Sequence, residues 1–481
     1  MTLPILAMSQ FSTDALRFSR IEYQGTARFN GLGGSMGAIG GDISSLSVNP
    51  AGLGLYRSSE FTFTTDFRVR DVNTSYRGTN SNGNNVNFNI GNIGYVGNYR
   101  GDPNGWKSYS FAVGYNRLGN FNSDSRLEGT NRNSSIIDEY VSFLNTNNVS
   151  TQELNDYAVD LGPSEAYWNF MIDSIAPNRH QRFLDFQDSI QQKRRTTTSG
   201  RQGETFFSFG GNYLDRFFLG GTIGIQSIRY EEKTVIQEFY TYDPPALPTE
   251  FLAKEYEENR DLIVSGTGIN FKVGFIYKIT NSLRFGGGLH SPTFYGMTET
   301  YAFNSTSSFS DGSAYESETS ESNFDYRLRT PMRYNASLAY VYRDKGLINI
   351  DYEYTNQAAA RFNDVAEFQF DYSNRNDIIA NSFRGTNNIR IGAEYRLEPF
   401  VIRAGVRYED NPFASNLSFD PDQSRTTFAI GSGFRSKNYN IDVTYMNSRS
   451  TITDQFYSTS EEAATIEGIN HHLMFTVGWR W

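Results

Sequence analysis

The chain has 481 residues, no cysteine, 15% aromatic residues and a formal net charge of -10. The lack of cysteine excludes disulfides, thiol catalysis and cysteine-ligated metal sites, and the negative charge argues against a nucleic-acid partner, which favours a basic surface. Mean hydropathy is -0.53. No window approaches the roughly 20 consecutive apolar residues of a membrane helix, which excludes a helical membrane protein.

Residues 1–9 contain a short apolar run and small residues ahead of Gln10, a pattern typical of the end of a secretory signal. No basic segment precedes them. Two interpretations are open, a start codon placed too late or a disordered leader, and we favour the first.

The next segment, residues 24–60, is rich in glycine. Glycine permits positive φ and close backbone approach, so this stretch can fold into a compact set of turns. Its spacing matches neither a dinucleotide fingerprint nor a P-loop. We therefore expect a plug over residues 10–57 rather than a phosphate site.

From residue 58 onward, apolar and polar side chains alternate in runs of about ten residues, which predicts strands with one apolar and one polar face. The predicted strands lie near 61–70, 86–99, 106–118, 206–213, 217–230, 269–279, 283–289, 332–342, 348–354, 388–397, 400–409, 428–434, 439–445 and 469–481. Gly114 and Gly119 would permit a kink near the end of the third strand.

Short turns alternate with long polar connections, which are predicted at about 71–85, 119–203, 232–260, 295–330, 357–386, 410–424 and 448–467. This asymmetry is typical of outer-membrane barrels, with short periplasmic turns and long extracellular loops. A soluble propeller or sandwich is the alternative, but it favours strands spaced every 8–12 residues. The sequence therefore predicts an all-β membrane protein, an antiparallel transmembrane barrel of about fourteen strands over residues 58–481.

The C-terminal strand ends in large apolar residues that share one face. An outer-membrane barrel needs such a strand, because its final strand must pair with its first to remove the sheet edge. The strand resembles the C-terminal assembly signal of bacterial outer-membrane barrels, and its expected partner is the strand beginning near Ser58. The predicted signal residues are Phe475, Val477, Trp479 and Trp481.

The long connection at 119–203 contains apolar residues at helical spacing, so a partly helical extracellular loop is predicted. These residues could pack on one another or leave an apolar groove for a ligand. The candidate groove residues are Ile137, Tyr140, Phe143, Leu144, Tyr167, Trp168 and Met171.

The opposite face of the predicted strands is strongly charged. Such residues most often form cross-strand ion pairs that also hold a plug, and they leave little room for a wide apolar pore. The residues predicted to face the lumen are Lys272, Arg284, Arg333, Asp351, Glu353, Arg390, Glu394, Arg396, Arg403, Arg407 and Glu409.

Catalytic motifs are lacking in the sequence. The four histidines have no metal-binding spacing, and there is no G-x-S-x-G nucleophile elbow. We therefore predict no enzyme activity, no catalytic residue, no metal and no cofactor.

The stretch from Gly40 to Gly54, with Asn49-Pro50-Ala51, resembles the N-terminal hatch of the long-chain fatty-acid transporter family of outer-membrane proteins (FadL/OmpP1/TodX). Later segments, such as Thr330 to Asn335 and Ile402 to Tyr408, resemble the form of that family found in Bacteroidetes. The resemblance implies a fourteen-stranded barrel with a hatch. The hatch residues it indicates are Gly40, Gly41, Asp42, Asn49, Pro50, Ala51 and Gly52.

For function, the resemblance implies an outer-membrane channel for passive uptake of hydrophobic molecules, such as fatty acids or aromatic hydrocarbons, which leave sideways into the membrane. The alternative is a non-transporting docking barrel of a secretion or assembly complex. Expected partners are outer-membrane lipid and lipopolysaccharide, a hydrophobic ligand, the barrel-assembly machinery during insertion and, for the alternative, other envelope proteins.

Overall fold

The computed structural model describes residues 8–183, 189–242, 251–365, 371–415, 422–458, 460 and 462–481. Residues 1–7 of the predicted signal remnant lie outside these ranges. Its last two residues, Met8 and Ser9, begin the first helix. No helix among the described residues is both long enough and apolar enough to cross a membrane.

The described residues are organised around one large antiparallel sheet. Its strands, together with a separate two-stranded ribbon, β5 and β6, are β1 (Glu60–Tyr76), β2 (Thr79–Arg100), β3 (Trp106–Asn120), β4 (Ser123–Asn131), β5 (Ile172–Ala176), β6 (Arg179–Arg182), β7 (Ser189–Tyr213), β8 (Phe217–Thr241), β9 (Ala253–Lys278), β10 (Leu283–His290), β11 (Phe294–Phe309), β12 (Ala314–Glu316), β13 (Ser320–Arg329), β14 (Arg333–Tyr342), β15 (Gly346–Asn356), β16 (Arg361–Asn363), β17 (Gly385–Leu397), β18 (Phe400–Glu409), β19 (Arg425–Arg435), β20 (Tyr439–Gln455) and β21 (Ala463–Arg480).

These strands form a closed antiparallel barrel of fourteen, which confirms the predicted fold class. Four barrel strands are interrupted, so β3 and β4, β10 and β11, β12 to β14, and β15 and β16 each count as one strand, since their parts lie along the same neighbours. The barrel closes between β1 and β21, where Phe63 pairs with Val477. Beyond these strands, Ser59 and Trp481 exchange two backbone hydrogen bonds of 3.2 Å. The seam therefore lies where the C-terminal pattern predicts it.

Several barrel strands are much longer than a membrane requires. The strands β7, β8 and β9 have 25, 25 and 26 residues, whereas about 9–11 residues cross a bilayer. Along β8 the outward side chains change from Ile223 and Ile225 to Arg229 and Lys233. The wall therefore continues beyond the lipid on the extracellular side.

These extensions correct the predicted connections. The regions 71–85, 232–260, 295–330 and 448–467 are mostly strand, and β1 and β2 are joined only by Arg77 and Gly78. Outside the lipid both faces of a strand meet water or polar neighbours, so the alternation that marks a membrane strand is lost. Loop 119–203 is likewise shorter than predicted, since β4 and the first half of β7 lie within it.

The remaining described part of that loop is partly helical, as predicted, and also contains the ribbon of β5 and β6. The helices are α1 (Met8–Ser19), α2 (Ala27–Gly31), α3 (Ile136–Thr146), α4 (Thr151–Asn155), α5 (Leu161–Trp168) and α6 (Ser373–Ser382), and 3₁₀ turns occupy Ile43–Ser47, Pro50–Leu55 and Gln357–Ala359. The side chains of α3 to α5 pack with the extracellular strand extensions in one apolar cluster.

Candidate functional site

The hatch, residues 20–57, fills the lumen and is attached to the wall by its Asn-Pro-Ala sequence. The side chain of Asn49 caps the 3₁₀ turn by accepting a hydrogen bond of 3.1 Å from the Ala51 amide. Its amide nitrogen donates to the carbonyls of Gly37 in the hatch, at 2.7 Å, and Phe275 in the wall, at 3.0 Å. The seven predicted hatch residues all lie in this segment: Gly40, Gly41, Asp42, Asn49, Pro50, Ala51 and Gly52.

The glycine pair before Asp42 turns the hatch backbone. Gly40 and Gly41 have φ of +61° and +63°, a conformation that favours glycine. One oxygen of the Asp42 carboxylate, Oδ1, accepts two hydrogen bonds of 2.9 Å, one from the Ser44 amide and one from the Thr26 hydroxyl. Burial raises the pKa of Asp42. The hatch thus carries its own internal hydrogen-bond network.

Charged side chains of the wall hold the first part of the hatch. The Glu22 carboxylate lies 3.5 Å from Arg68 on β1 and 3.2 Å from Arg425 on β19. Burial alone would raise the pKa of Glu22, but these two guanidinium groups hold it well below its usual range. An ionised Glu22 therefore links the hatch to both sides of the barrel seam.

A second chain of charges crosses from the hatch to β20. Arg28 of the hatch lies 3.0 Å from Glu394, which lies 2.8 Å from Arg403, and Arg403 lies 2.7 Å from Asp442. The predicted inward charges are therefore paired with one another and with the plug. Of the eleven predicted lumen-facing residues, Arg396 is exposed and Arg284 half-buried, whereas nine are buried: Lys272, Arg333, Asp351, Glu353, Arg390, Glu394, Arg403, Arg407 and Glu409.

Between hatch and wall little space remains. Two cavities there measure about 20 and 10 Å³, room for at most about one water molecule each. A larger cavity, about 820 Å³, opens on the outer face around Tyr340, Ile348 and Ile402, outside the lumen. The described residues therefore leave no wide path straight through the barrel.

Above the hatch the lumen is lined with aromatic and aliphatic side chains. Phe18 of α1 packs edge-on against Phe121 and Tyr230, with ring centroids 6.1 and 6.3 Å apart. We call this cluster the aromatic chamber; its buried members are Ala15, Leu16, Phe18, Ile228, Tyr230, Leu262, Val264, Tyr295, Met297, Tyr326, Leu328, Ala360, Phe362, Tyr372, Ile379 and Phe383. Such a surface suits an apolar ligand.

Helix α1 carries two charged residues into the chamber. Asp14 forms an ion pair with Arg17, whose guanidinium also lies 4.1 Å from the centre of the Tyr230 ring. Burial raises the pKa of Asp14 to about 6, against the opposing charge of Arg17. The helix therefore fills the chamber at the cost of burying a carboxyl group.

The barrel wall is interrupted between β2 and β3. These strands pair only from Arg100 and Ser108 up to Asn92 and Asn116. Above that level β3 turns away, and its continuation β4 pairs with β7 alone among the described strands. In the part of the chain described, the edge of β2 over residues 80–91 therefore has no hydrogen-bonded strand on its β3 side, although β4 packs against β2 where Gly83 lies beside Asp124.

We call the interruption between β2 and β3 the lateral gap, and an extra residue in β3 lies beside it. Arg117 pairs with Gly203 and Gly119 with Gln202, so Leu118 is an extra residue in the ladder, a β-bulge. The Leu118 carbonyl accepts a hydrogen bond of 2.7 Å from the Glu22 amide instead. The bulge thus turns the strand toward the hatch at Gly119, one of the two glycines at which a kink was predicted.

The lateral gap lies at the level of the lipid. The outward side chains of β2 beside it are Val86, Phe88 and Ile90, which are 70%, 60% and 45% exposed. On β1 the same outer face is apolar up to Val69 and becomes polar at Asp71. The unpaired edge of β2 therefore lies within the apolar outer band of the barrel.

The candidate groove residues of the extracellular loop are packed together. Ile137, Tyr140, Leu144 and Met171 are buried, Phe143 and Tyr167 pack against them, and Trp168 is 48% exposed. The adjoining cavity measures about 10 Å³. In the structure these side chains pack against one another and leave almost no space for a ligand, so ligand binding by these residues stays a prediction.

The family model of the outer membrane protein transport proteins (OMPP1/FadL/TodX) matches residues 225–477, just over half of the chain. The chain belongs to this family. It is accordingly an outer-membrane β-barrel and a member of a family of transport proteins. A search of curated proteins found no match.

Solved structures of FadL-type proteins share the fold. A FadL homologue of Pseudomonas aeruginosa is 13% identical, with a TM-score of 0.57, and the match covers 96% of this chain and 99% of that one. The toluene transporter TodX of P. putida is 13% identical with a TM-score of 0.54, and TbuX of Ralstonia pickettii is 15% identical with a TM-score of 0.50; each match covers 96% and 99% of the two chains.

Sequence reasoning located the hatch but missed the aromatic chamber and did not place the lateral gap. The chamber residues lie on strand extensions whose alternation is weak, and α1 overlaps the predicted signal remnant. The one available signal for the gap was the break in alternation at Arg117-Leu118 beside Gly119. Among the described residues, no cluster of three or more His, Asp or Glu is arranged to hold a metal.

Proposed function

We propose that this protein is a passive channel that takes up hydrophobic small molecules, fatty acids or aromatic hydrocarbons, across the outer membrane. The lateral gap is the observation that carries the proposal. A molecule that entered the aromatic chamber in place of α1 would meet a hatch below it, whereas the gap beside it faces lipid. The chain is thus proposed to be a transporter and not an enzyme.

Sideways release agrees with the chemistry of the two routes. The floor of the lumen is built from buried ion pairs such as Arg28–Glu394, and an apolar solute passing there would have to displace them without replacing their interactions. The gap offers Val86, Phe88 and Ile90 instead, which are compatible with both solute and acyl chains. Toluene transporters among the proteins that share the fold support a hydrophobic solute.

Deleting Leu118 tests the path. Without its extra residue, β3 should continue in register with β7 and extend its pairing with β2 past Asn116, which closes the gap. In cells lacking their own channels of this kind, the variant should lose most uptake of a radiolabelled fatty acid and of labelled toluene. Wild-type uptake by a folded variant would contradict the proposal.

The same strand offers a matched control. Lys107 is a second extra residue, between Trp106 and Ser108 where they pair with Tyr213 and Asn212, at the periplasmic end. Its deletion removes a surface interaction with Asp215 but leaves the gap intact, so uptake should persist. If both wild-type and mutant cells show no uptake, while loss of the gene impairs secretion and the protein co-purifies with other envelope proteins, the docking-barrel alternative replaces this proposal.

A further inference from the structure

The outer face of the wall carries a groove near the periplasmic turns, the cavity of about 820 Å³ described above. Two exposed alanines that pair with each other, Ala393 on β17 and Ala404 on β18, line its centre. Ile348 pairs with Ala393 on one side, and Ile430 pairs with Ala404 on the other. Two methyl groups between two isoleucines leave a depression in an otherwise bulky apolar wall.

A depression that faces lipid is filled by part of a lipid molecule. An empty space would cost the surrounding side chains their dispersion contacts, and an apolar space without polar partners does not hold water. Ala393 and Ala404 each lie four residues from the turn that joins β17 to β18, which is about 13 Å along a strand. An acyl chain can therefore reach this depression while its head group stays level with the periplasmic turns.

Two tyrosines flank the end of the groove nearest the periplasm. Tyr342 of β14 pairs with Gly346 of β15, which pairs in turn with Tyr395 of β17. All three residues line the groove, and the tyrosines are 49% and 48% exposed. Gly346 leaves a gap between the two rings, and tyrosine is typical of the membrane boundary, where its hydroxyl meets lipid head groups. We call this end the mouth of the groove.

The turn beside the mouth carries two exposed cations. The guanidinium carbon of Arg343 lies 5.7 Å from the centre of the Tyr342 ring, so the charge lies at the mouth itself. Lys345 follows in the same turn. Neither cation forms an ion pair with any described residue, although Asp344 lies between them in the sequence. In the turn between β7 and β8, by contrast, the carboxylate of Asp215 binds nearby cations.

We infer that this groove is a binding site for one anionic phospholipid of the inner leaflet of the outer membrane. One acyl chain lies over Ala393 and Ala404, and the phosphate lies beside Arg343 and Lys345. Phosphate oxygens accept charge-assisted hydrogen bonds from such cations. A zwitterionic lipid could fill the groove equally well, but its own ammonium group offsets the attraction. The inference does not depend on the transported solute, because the groove lies outside the lumen.

The test compares two lipids that differ in the charge of the head group. Purified protein in a non-ionic detergent is titrated with phosphatidylglycerol or phosphatidylethanolamine of identical acyl chains, and native mass spectrometry counts the lipids that each barrel retains. Wild-type protein should retain one phosphatidylglycerol more tightly than phosphatidylethanolamine. Arg343→Gln should weaken retention of phosphatidylglycerol about fivefold and leave that of phosphatidylethanolamine unchanged, whereas Arg343→Lys should behave like wild type.

A second variant tests the depression rather than the charge. Ala404→Leu places a larger side chain where the acyl chain would lie, so both lipids should be retained about threefold more weakly or less tightly still. Ala393→Leu should have the same effect and serves if Ala404→Leu gives a poor yield. Unboiled electrophoretic mobility checks that each barrel is folded.

The same barrel offers a matched control for each variant. Arg216 lies in the turn between β7 and β8, with its guanidinium carbon 5.4 Å from the centre of the Tyr277 ring, and it is distant in the wall from the groove. Ala336 is an exposed alanine on the outer face of β14 that does not line the groove. Arg216→Gln and Ala336→Leu should therefore retain both lipids like wild type.

Four outcomes overturn the inference. Unchanged retention in both Arg343→Gln and Ala404→Leu would remove the site, and equal weakening in the control variants would reduce it to general contact with lipid. Weakening by Ala404→Leu alone would remove the selection of an anionic head group. A dimer without bound lipid that dissociates in Ala404→Leu would assign the groove to a second copy of the chain. The proposed channel is tested separately by Leu118-dependent uptake, so either proposal can fail while the other stands.

Discussion

Replacing Asn49 with alanine should loosen the hatch without unfolding the barrel. The side chain makes three hydrogen bonds, with the Ala51 amide and with the carbonyls of Gly37 and Phe275, and is 1% exposed. Only the bond to Phe275 joins the hatch to the wall, so at about 1 kcal/mol per hydrogen bond its loss weakens hatch docking by about 1 kcal/mol, and the loss of the other two loosens the hatch itself. The population with an undocked hatch should therefore rise about fivefold.

Planar-bilayer recordings of the purified protein measure this population directly, as the fraction of time spent in a conducting state. Cells should also become sensitive to a large hydrophilic antibiotic that an intact outer membrane excludes. Asn49→Ser provides a graded comparison, because serine can still cap the Ala51 amide but cannot donate to Gly37 and Phe275. Wild-type conductance in Asn49→Ala, with a folded barrel, would refute this account of how the hatch is held.

Two further predictions concern α1 and the seam. Because burial raises the pKa of Asp14 to about 6, docking of α1 is most favourable below about pH 4 and weakens, by up to about 3 kcal/mol, as pH rises through 6. The distance between spin labels at Thr13→Cys and Lys233→Cys should increase between about pH 5 and pH 8, and should not do so when Asp14→Asn is added. A distance that does not change with pH in the protein with native Asp14 would argue against this coupling of Asp14 ionisation to docking of α1. Replacing Trp479 and Trp481 with alanine should lower the folded yield several-fold, whereas the loop variant Trp168→Ala should not; equal yields would remove the assembly role of these residues.

The part of the fold within the membrane could be predicted from the sequence because lipid requires an apolar side chain at every second position of a strand. Each of the fourteen predicted strands lies within, or largely overlaps, an observed one, and the seam pairs as expected. This alternation of apolar and polar side chains ends at the lipid boundary. Residues such as Lys233 and Glu257 lie on strands whose outer face meets water, so their sequence is typical of a loop.

The candidate site was only partly predictable for a related reason. The Asn49-Pro50-Ala51 hatch sequence is local, and its capping role follows from neighbouring residues. The lateral gap depends on where β2 and β3 stop pairing, and Arg117 belongs by alternation to the lipid-facing side. Arg117 is buried by neighbouring parts of the assembled wall, and the sequence of one strand does not show this.

The pairing of Ser59 with Trp481 also determines when the protein can fold. The ladder that closes the barrel joins residues more than 400 positions apart, such as Phe63 and Val477, and the hatch bonds to residues almost as distant, as Arg28 does to Glu394, 366 positions away. Contacts of such sequence separation form late and slowly. The first strand must therefore remain open until the last strand has been synthesised and delivered, and the wall must close around a hatch that is already inside or admit it afterwards. A chain with this connectivity spends its early life with exposed strand edges, and its yield depends on whatever keeps those edges apart before closure.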